Sequence, residues 1–253
     1  KYRPREFYTF KTSDSISLNA WLIKPYDFDS TKKYPVLFYQ YSGPGSQTVR
    51  NQWSFSWYQY LAQLGYVVIS VDGRGTGARG EAFKKSTYLQ LGKYETIDQI
   101  EAAKHFGSKA WVDKGRIGIW GWSYGGFMTL SCLTKGEGIY KMGIAVAPVT
   151  SWRYYDNIYT ERFMRKPSQN ESGYDENAPL NYASELEGDL LIVHGTADDN
   201  VHVQNTLEFT EALVQADIDF EMRLYTNRNH GIYGGNTSWH LFNKILDFIE
   251  NKL

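Results

Sequence analysis

The chain has 253 residues, of which 42% are hydrophobic and 22% are charged, with 27 basic side chains against 28 acidic ones. This length can bury one large core, and a net charge of -1 leaves no field that would hold a nucleic acid or an anionic membrane. The single cysteine, Cys132, excludes an internal disulfide and a cysteine-based zinc cluster. We expect one domain over residues 1–253, with no metal, no cofactor, no signal peptide and no membrane segment.

Short apolar runs alternate with helix-like segments along the chain. The predicted strands are residues 18–23, 36–41, 66–71, 116–120, 142–146, 190–194 and 220–225. Apolar residues at helical spacing mark three segments: Ile97, Ile100 and Ala103; Val203, Leu207, Leu213 and Val214; and Phe242, Ile245, Leu246, Ile249 and Leu253. This alternation predicts an α/β fold with a mainly parallel sheet. No helix separates the first two predicted strands, so we expect that edge to be antiparallel.

The strongest chemical signal is the sequence Gly-Trp-Ser-Tyr-Gly at residues 121–125. It follows a predicted strand and precedes a helix-compatible run, which is the context of a nucleophile elbow. Glycines on both sides of Ser123 relieve crowding in a strained turn, and the following helix offers free N–H groups to a developing oxyanion. The alternative is a glycine-rich turn with a capping serine, which the strand before it and the helix after it disfavour. Ser123 is therefore predicted to be a nucleophile.

A serine nucleophile requires a base and a carboxylate, which follow it in the chain order of this fold. Four of the five histidines fall in or beside predicted helices and strands: His105, His194, His202 and His240. His230 differs because it lies in a polar loop after the last strand and before the last helix, so we predict it as the base. The carboxylate should follow strand 190–194, where Asp198 and Asp199 both qualify. Spacing alone does not choose between them, and one of the two could cap the next helix.

A second glycine-rich stretch occupies residues 72–80, and Gly75, Gly77 and Gly80 match a dinucleotide-binding fingerprint. That fingerprint needs a helix directly after it and an acidic residue at the end of the next strand. Residues 81–92 provide neither a long apolar face nor a following strand. We therefore expect a turn in which Asp72 or Arg74 forms a structural ion pair.

The segments 121–126, 194–202 and 229–231 together resemble the catalytic domain of the prolyl oligopeptidase family, and most closely its dipeptidyl peptidase IV branch. The blocks at 147–156 and 159–162 fit the same branch, and the resemblance covers nearly the whole chain. It implies the α/β-hydrolase fold. It also implies a catalytic triad of Ser123, Asp198 and His230, which decides between the two aspartates.

The resemblance implies two oxyanion donors, the backbone N–H of Tyr124 and the hydroxyl of Tyr41 in the Tyr-x-Gly-Pro segment at 41–44. A phenol suits this role because it is neutral at pH 7 and donates a strong hydrogen bond. Asn200 matches the amide that binds the carbonyl of the residue before proline. The pocket for the proline ring is implied to be lined by Tyr124, Val149, Trp152, Tyr155, Tyr159 and Val201.

The expected function is that of a serine peptidase domain that cleaves after proline, or alanine, near peptide N-termini through an acyl-enzyme. Family members carry an N-terminal β-propeller whose glutamates bind the substrate amine, and no such domain is present in these 253 residues. The resemblance also allows a homodimer and favours a periplasmic or extracellular location. The alternatives are an acylaminoacyl-peptidase or a carboxylesterase on the same triad, or a catalytically silent binding scaffold.

Overall fold

An eight-stranded sheet runs through the centre of the computed structural model, which describes residues 2–253. The strands are β1 Glu6–Lys11, β2 Ser17–Ile23, β3 Tyr34–Tyr39, β4 Val67–Asp72, β5 Val112–Trp122, β6 Met142–Val146, β7 Asp189–Gly195 and β8 Glu221–Tyr225. The helices are α1 Trp57–Gln63, α2 Glu81–Lys85, α3 Lys93–Gly107, α4 Tyr124–Lys135, α5 Asn157–Met164, α6 Glu171–Asp175, α7 Gln204–Gln215 and α8 Thr237–Lys252. Short 3-10 segments cover Trp152–Tyr154, Pro167–Gln169 and Pro179–Glu185.

The strand order is β1-β2-β4-β3-β5-β6-β7-β8, and every pair from β4 to β8 is parallel. This confirms the predicted mainly parallel sheet with an antiparallel edge. The first two predicted strands, β2 and β3, are not neighbours, because β4 lies between them. The antiparallel partners of β2 are β4 and the edge strand β1, which was not among the predicted strands.

Each face of the sheet carries its own apolar core. Helices α1 and α8 cover one face, with Leu61, Ile245 and Ile249 fully buried against β2, β3, β6 and β7. Helices α3, α4 and α7 cover the other face, where Phe106, Phe127 and Phe209 are buried. The apolar face predicted for α8 is confirmed, since the sheet buries its i, i+4 residues Ile245 and Ile249.

Two other predicted apolar stripes were correct only in part, because Ala103 on α3 and Leu213 on α7 are buried but other members are exposed. On α3, Ile97 is 40% exposed, whereas Glu95, Asp98 and Gln99 are buried. Polar side chains occupy that face because each meets a hydrogen-bonding partner inside the protein: Tyr124 for Glu95, Arg74 for Asp98 and the Val71 carbonyl oxygen for Gln99. On α7, Leu207 and Val214 are exposed, and the buried stripe is made of Asn205, Thr206, Phe209, Thr210 and Leu213. Its polar members bond to the loops after β6 and to β7.

The carboxyl ends of the parallel strands meet at one edge of the sheet, which is where parallel-sheet proteins place their sites. The loop after β3 carries Tyr41, the turn after β5 carries Ser123, and the loop after β6 carries Val149. The loops after β7 and β8 carry Asp198 and His230. Within residues 2–253, no helix has both the length and the apolar character needed to cross a membrane.

Candidate active site

Ser123 stands in a sharp turn between β5 and α4, with φ 61° and ψ -116°. This is a strained conformation for a residue with a side chain, and it is held by hydrogen bonds from Ser123 N to the Val146 carbonyl oxygen at 2.8 Å and from Phe127 N to the Ser123 carbonyl oxygen at 3.0 Å. A Cβ atom at Gly121 would lie 2.5 Å from the Gly125 carbonyl. The turn can therefore form only with glycine at that position, which places the serine at the sheet edge.

His230 and Asp198 are joined by a hydrogen bond of 2.7 Å between His230 Nδ1 and Asp198 Oδ2. The other carboxylate oxygen, Oδ1, accepts the backbone N–H groups of Asn200 at 3.0 Å and Val201 at 2.9 Å. Burial opposes the charge of Asp198, but the hydrogen bonds from His194 and His230 outweigh it and hold the pKa of Asp198 well below its usual range. The carboxylate is therefore charged at neutral pH and aimed at the imidazole.

The neighbouring aspartate, Asp199, lies exposed at the surface. Neither aspartate caps α7, whose cap position is Val203 and has no side-chain hydrogen bond. Asp198 instead closes a local turn with its own following backbone N–H groups. The expectation that one of the pair caps the helix was therefore wrong.

The loop that carries His230 is held in place from two sides. Trp122, the residue before Ser123, donates its indole N–H to the His230 carbonyl oxygen at 2.9 Å. Ile232 follows with φ 47° and is completely buried, which anchors the loop in the core beside α8. The imidazole itself is 22% exposed and lies at the rim of the site. It can therefore meet both Asp198 and a group arriving from solvent.

His194 is a buried structural histidine, as predicted, although it is completely rather than half buried. Its Nε2 lies 2.8 Å from the Val201 carbonyl oxygen and 3.3 Å from Asp198 Oδ2, so this nitrogen must carry the proton. Its Nδ1 then accepts from the Thr206 hydroxyl at 2.7 Å. His194 thus donates to the Asp198 carboxylate in addition to His230 and the two backbone N–H groups.

Tyr41 lies in the loop after β3 and lines the same cavity as Ser123, and its ring centroid is 6.1 Å from that of Tyr124. A Cβ atom at Gly43 would lie 2.5 Å from Tyr41 Cε1, so the glycine of the Tyr-x-Gly-Pro segment makes room for the ring. Burial raises the pKa of the Tyr41 hydroxyl above its ordinary value, with a smaller contribution from Tyr39. The phenol therefore keeps its proton and can donate a hydrogen bond at neutral and mildly alkaline pH.

A small cavity of about 30 Å³ opens beside Ser123. It is lined by Tyr41, Ser123, Tyr124, Val149, Trp152, Tyr155 and Tyr159. The rings of Trp152 and Tyr159 stack at 6.0 Å, and Tyr155 meets Tyr159 edge to face at 5.3 Å. Rings fixed in this way form rigid walls that fit a compact apolar group.

Two of the predicted substrate-binding residues, Val201 and Asn200, lie outside the lining of this cavity. Val201 is completely buried, and its backbone serves Asp198 and His194. The Asn200 Oδ1 atom accepts the Tyr155 hydroxyl at 2.6 Å. This fixes the orientation of the amide, and its N–H₂ group is the part left to bind a carbonyl.

Helix α3 supports the site with buried polar side chains that sequence reasoning missed. The Tyr124 hydroxyl donates to Glu95 Oε1 at 2.7 Å. The Gln99 amide lies 3.3 Å from the Ser42 hydroxyl, next to Tyr41. The only sequence signal is a run of acids and amides on one helix face, and it has meaning only once that face is known to be buried.

The residues around the second glycine-rich stretch have structural roles. The Arg74 guanidinium bonds to both Asp98 oxygens, the shortest contact being 2.7 Å, and to Asp14 at 2.9 Å, which confirms the predicted ion pair. Asp72 instead accepts the backbone N–H groups of Thr48 and Val49. Across residues 2–253, no three His, Cys, Asp or Glu side chains cluster in a way that could hold a metal ion.

The model of the prolyl oligopeptidase family matches residues 53–253. The chain belongs to this family. A crystal structure of Porphyromonas gingivalis dipeptidyl peptidase 4 superimposes with a TM-score of 0.98 at 58% identity, over all of this chain and 36% of that one. The fold is accordingly the α/β-hydrolase fold.

Two fungal relatives are both named "Probable dipeptidyl-aminopeptidase B". The protein from Trichophyton verrucosum is 50% identical over 235 residues, which cover 91% of this chain and 26% of that protein. The protein from Ajellomyces dermatitidis is 47% identical over 250 residues, which cover 96% of this chain and 27% of that protein. The chain thus spans between a quarter and about a third of the length of these relatives.

Proposed function

We propose that this chain is the catalytic domain of a serine dipeptidyl peptidase, which cleaves after a proline, and less readily after an alanine, at the second position of a peptide. The observation that carries the proposal is the 2.7 Å hydrogen bond between His230 and Asp198, at the sheet edge where Ser123 occupies a strained turn. Membership of the prolyl oligopeptidase family and the names of the relatives support the same reaction class.

In the proposed mechanism, the Ser123 oxygen attacks the carbonyl carbon of the scissile bond while its proton passes to His230 Nε2. Asp198 keeps Nδ1 protonated, so that Nε2 is free to accept. The Tyr41 hydroxyl and the Tyr124 N–H stabilise the oxyanion. His230 then gives its proton to the departing amine, which leaves an ester on Ser123. A water molecule that has lost a proton to His230 hydrolyses this ester and restores the serine.

The preference for proline rests on the cavity beside Ser123. Its walls are rings held by ring contacts on several sides, so a flat five-membered ring can be enclosed with little loss of side-chain entropy. Val149 closes the cavity with an apolar side chain. The free amide N–H₂ of Asn200 would hold the carbonyl of the residue before proline, and Val201 would support this region from below.

We further propose that the substrate amine is held by a β-propeller domain outside these 253 residues, and that the whole protein forms a homodimer. The relatives are between about three and four times as long as this chain, which leaves room for a further domain in such proteins. Sedimentation of the whole protein would measure its oligomeric state. A monomer at all concentrations would contradict the dimer.

The test uses a fluorophosphonate and two families of chromogenic substrate. We expect the probe to label wild-type protein, and the Ser123→Ala variant to lose both labelling and turnover, with kcat falling by about 10⁴ to 10⁶. Xaa-Pro nitroanilides should be cleaved faster than short acyl esters. Faster cleavage of the esters would indicate a carboxylesterase, and absence of both labelling and turnover would indicate a binding scaffold.

The amine anchor is tested by comparing free and N-acetylated Xaa-Pro nitroanilides. A charge-assisted contact to the amine is worth about a tenfold to hundredfold effect on kcat/KM. If the anchor lies outside these residues, the isolated chain should cleave both forms at similar rates. A strong preference for the free amine would place the anchoring carboxylate within the chain.

A further inference from the structure

Glu95 is a completely buried acid that touches the candidate active site from behind. It lies in the first turn of α3, has no exposed surface, and accepts the Tyr124 hydroxyl at 2.7 Å through Oε1. Its second oxygen, Oε2, accepts the backbone N–H of Gly92 at 3.0 Å. Both carboxylate oxygens are therefore in use, and one is committed to the residue that follows the nucleophile.

Tyr124 links this acid to two functions of the proposed site. Its ring lines the cavity beside Ser123 and packs against Trp152 at 5.2 Å and Phe127 at 5.3 Å. Its backbone N–H is the proposed oxyanion donor. The hydroxyl lies at the far end of the ring, so a hydrogen bond there fixes the tilt of the cavity wall. The phenol is completely buried, and no water can replace Glu95 without opening the core.

We propose that Glu95 is a positioning residue: its carboxylate holds the Tyr124 ring in the orientation that encloses proline, and loss of the Glu95 proton strengthens that hold. The inference rests on the proposed peptidase function and names a determinant of its specificity. A hydrogen bond to a charged acceptor is roughly twice as strong as one to a neutral acceptor. Selection of proline over alanine should therefore rise as Glu95 ionises.

The burial of Glu95 places this ionisation in an accessible range. Burial raises the pKa of Glu95 from 4.5 to about 7, against the opposing effect of the hydrogen bonds from Tyr124 and Gly92. The titratable groups that face it are Asp98 on its own helix, Tyr124 from α4 and Tyr159 from α5. The negative charge of Asp98 raises the pKa of Glu95 further. Asp98 is itself paired with Arg74 from the loop after β4.

The deciding measurement is the ratio of kcat/KM for two nitroanilides that share their first residue and carry proline or alanine at the second. Any effect of pH that is common to the two substrates cancels in this ratio. We expect the wild-type ratio to rise about threefold to tenfold from about pH 5 to about pH 9. A ratio that stays flat over this range in the wild-type protein overturns the inference, whatever the variants do.

Two variants assign the effect to this pair of residues. Glu95→Gln keeps the shape of the side chain and does not ionise, so its ratio should be low and independent of pH. Tyr124→Phe keeps the ring and the backbone N–H but removes the hydroxyl, and it should give the same flat profile, with no further change in the double variant. A pH-dependent ratio that survives in Glu95→Gln would assign the effect to another group and overturn the inference.

Glu101→Gln is the matched control, since it makes the same chemical change on α3 at a carboxylate that contacts Ser13 and Lys104 instead. Its ratio should follow the wild-type profile. A wild-type protein that is not labelled by fluorophosphonate and cleaves neither nitroanilide overturns the proposed function together with this inference. A labelled, active protein with a flat ratio overturns this inference alone.

Equilibrium unfolding provides a readout that does not depend on activity. Because the folded-state pKa of Glu95 is raised, the Glu95 side chain binds more protons in the folded protein than in the unfolded chain between pH 4.5 and about 7. The contribution of Glu95 to the free energy of unfolding should therefore fall as pH rises through that window, and this part of the slope should be absent in Glu95→Gln. Equal slopes in the two proteins would show that Glu95 does not titrate there, which contradicts the inference.

Discussion

Replacement of Asp198 by asparagine should inactivate the protein by moving the imidazole proton of His230 from Nδ1 to Nε2. The geometry decides how the new amide is oriented. Two backbone N–H groups, from Asn200 and Val201, point at the Oδ1 position within 3.0 Å, so the amide oxygen must occupy that position. The opposite orientation would lose two hydrogen bonds and set two donors against the amide N–H₂, at a cost of about 2 to 6 kcal/mol. The chosen orientation loses only the longer contact with His194 Nε2, which lies 3.3 Å from Oδ2.

The amide N–H₂ then takes the place of Oδ2, 2.7 Å from His230 Nδ1. A donor at that position requires Nδ1 to accept, which moves the imidazole proton to Nε2. An Nε2 that already carries a proton cannot take one from Ser123. We expect kcat to fall by about 10⁴, equivalent to about 5.5 kcal/mol of transition-state stabilisation.

The assay is nitroanilide hydrolysis, with the imidazole tautomer read from the ¹⁵N chemical shifts of His230. Asp199→Asn makes the same change at the exposed neighbour and should leave kcat within about twofold of wild type. Addition of Asp198→Asn to Ser123→Ala should cause no further loss, because the two residues act in one step. An Asp198→Asn protein that folds normally and keeps kcat within about tenfold of wild type would refute this reasoning.

Three further variants test the site and its frame. Tyr41→Phe should lower kcat by about 10² to 10³ with little change in KM or melting temperature, whereas a purely structural tyrosine would lower the melting temperature and leave kcat intact. Gly125→Ala places a Cβ 2.6 Å from a backbone carbonyl oxygen, so a denaturant titration should show a free energy of unfolding that is lower by at least about 1 to 3 kcal/mol. Gly107→Ala is the control, because the nearest contact of its Cβ is 3.4 Å away, and its effect in the same titration should be much smaller. Arg74→Met leaves the buried carboxylate of Asp98 without its cation and should lower the free energy of unfolding by about 3 to 5 kcal/mol in that titration. A smaller loss in Arg74→Met than in the double variant with Asp98→Leu would contradict the ion-pair argument.

Features that depend on neighbours along the chain could be predicted from the sequence. Strand β6 was predicted with its observed bounds, and the apolar face of α8 was predicted through Ile245 and Ile249. The turn at Ser123 was recognised for the same reason, since the glycines that its close backbone approach requires lie within two residues of it. In each case the side chains that decide the conformation are adjacent in sequence or one helical turn apart.

The tertiary structure alone decided which strands pair and which helix face is buried. Strand β4 inserts between β2 and β3, and no local pattern encodes that order. Helix α3 buries Glu95 and exposes Ile97, because Tyr124, 29 residues away, needs an acceptor inside the core. Likewise, local spacing did not distinguish Asp198 from Asp199 as the carboxylate of the site. The hydrogen bond to His230, 32 residues away, identifies Asp198. A polar side chain becomes favourable in the interior only when a partner meets it there, and such partners come from distant parts of the chain.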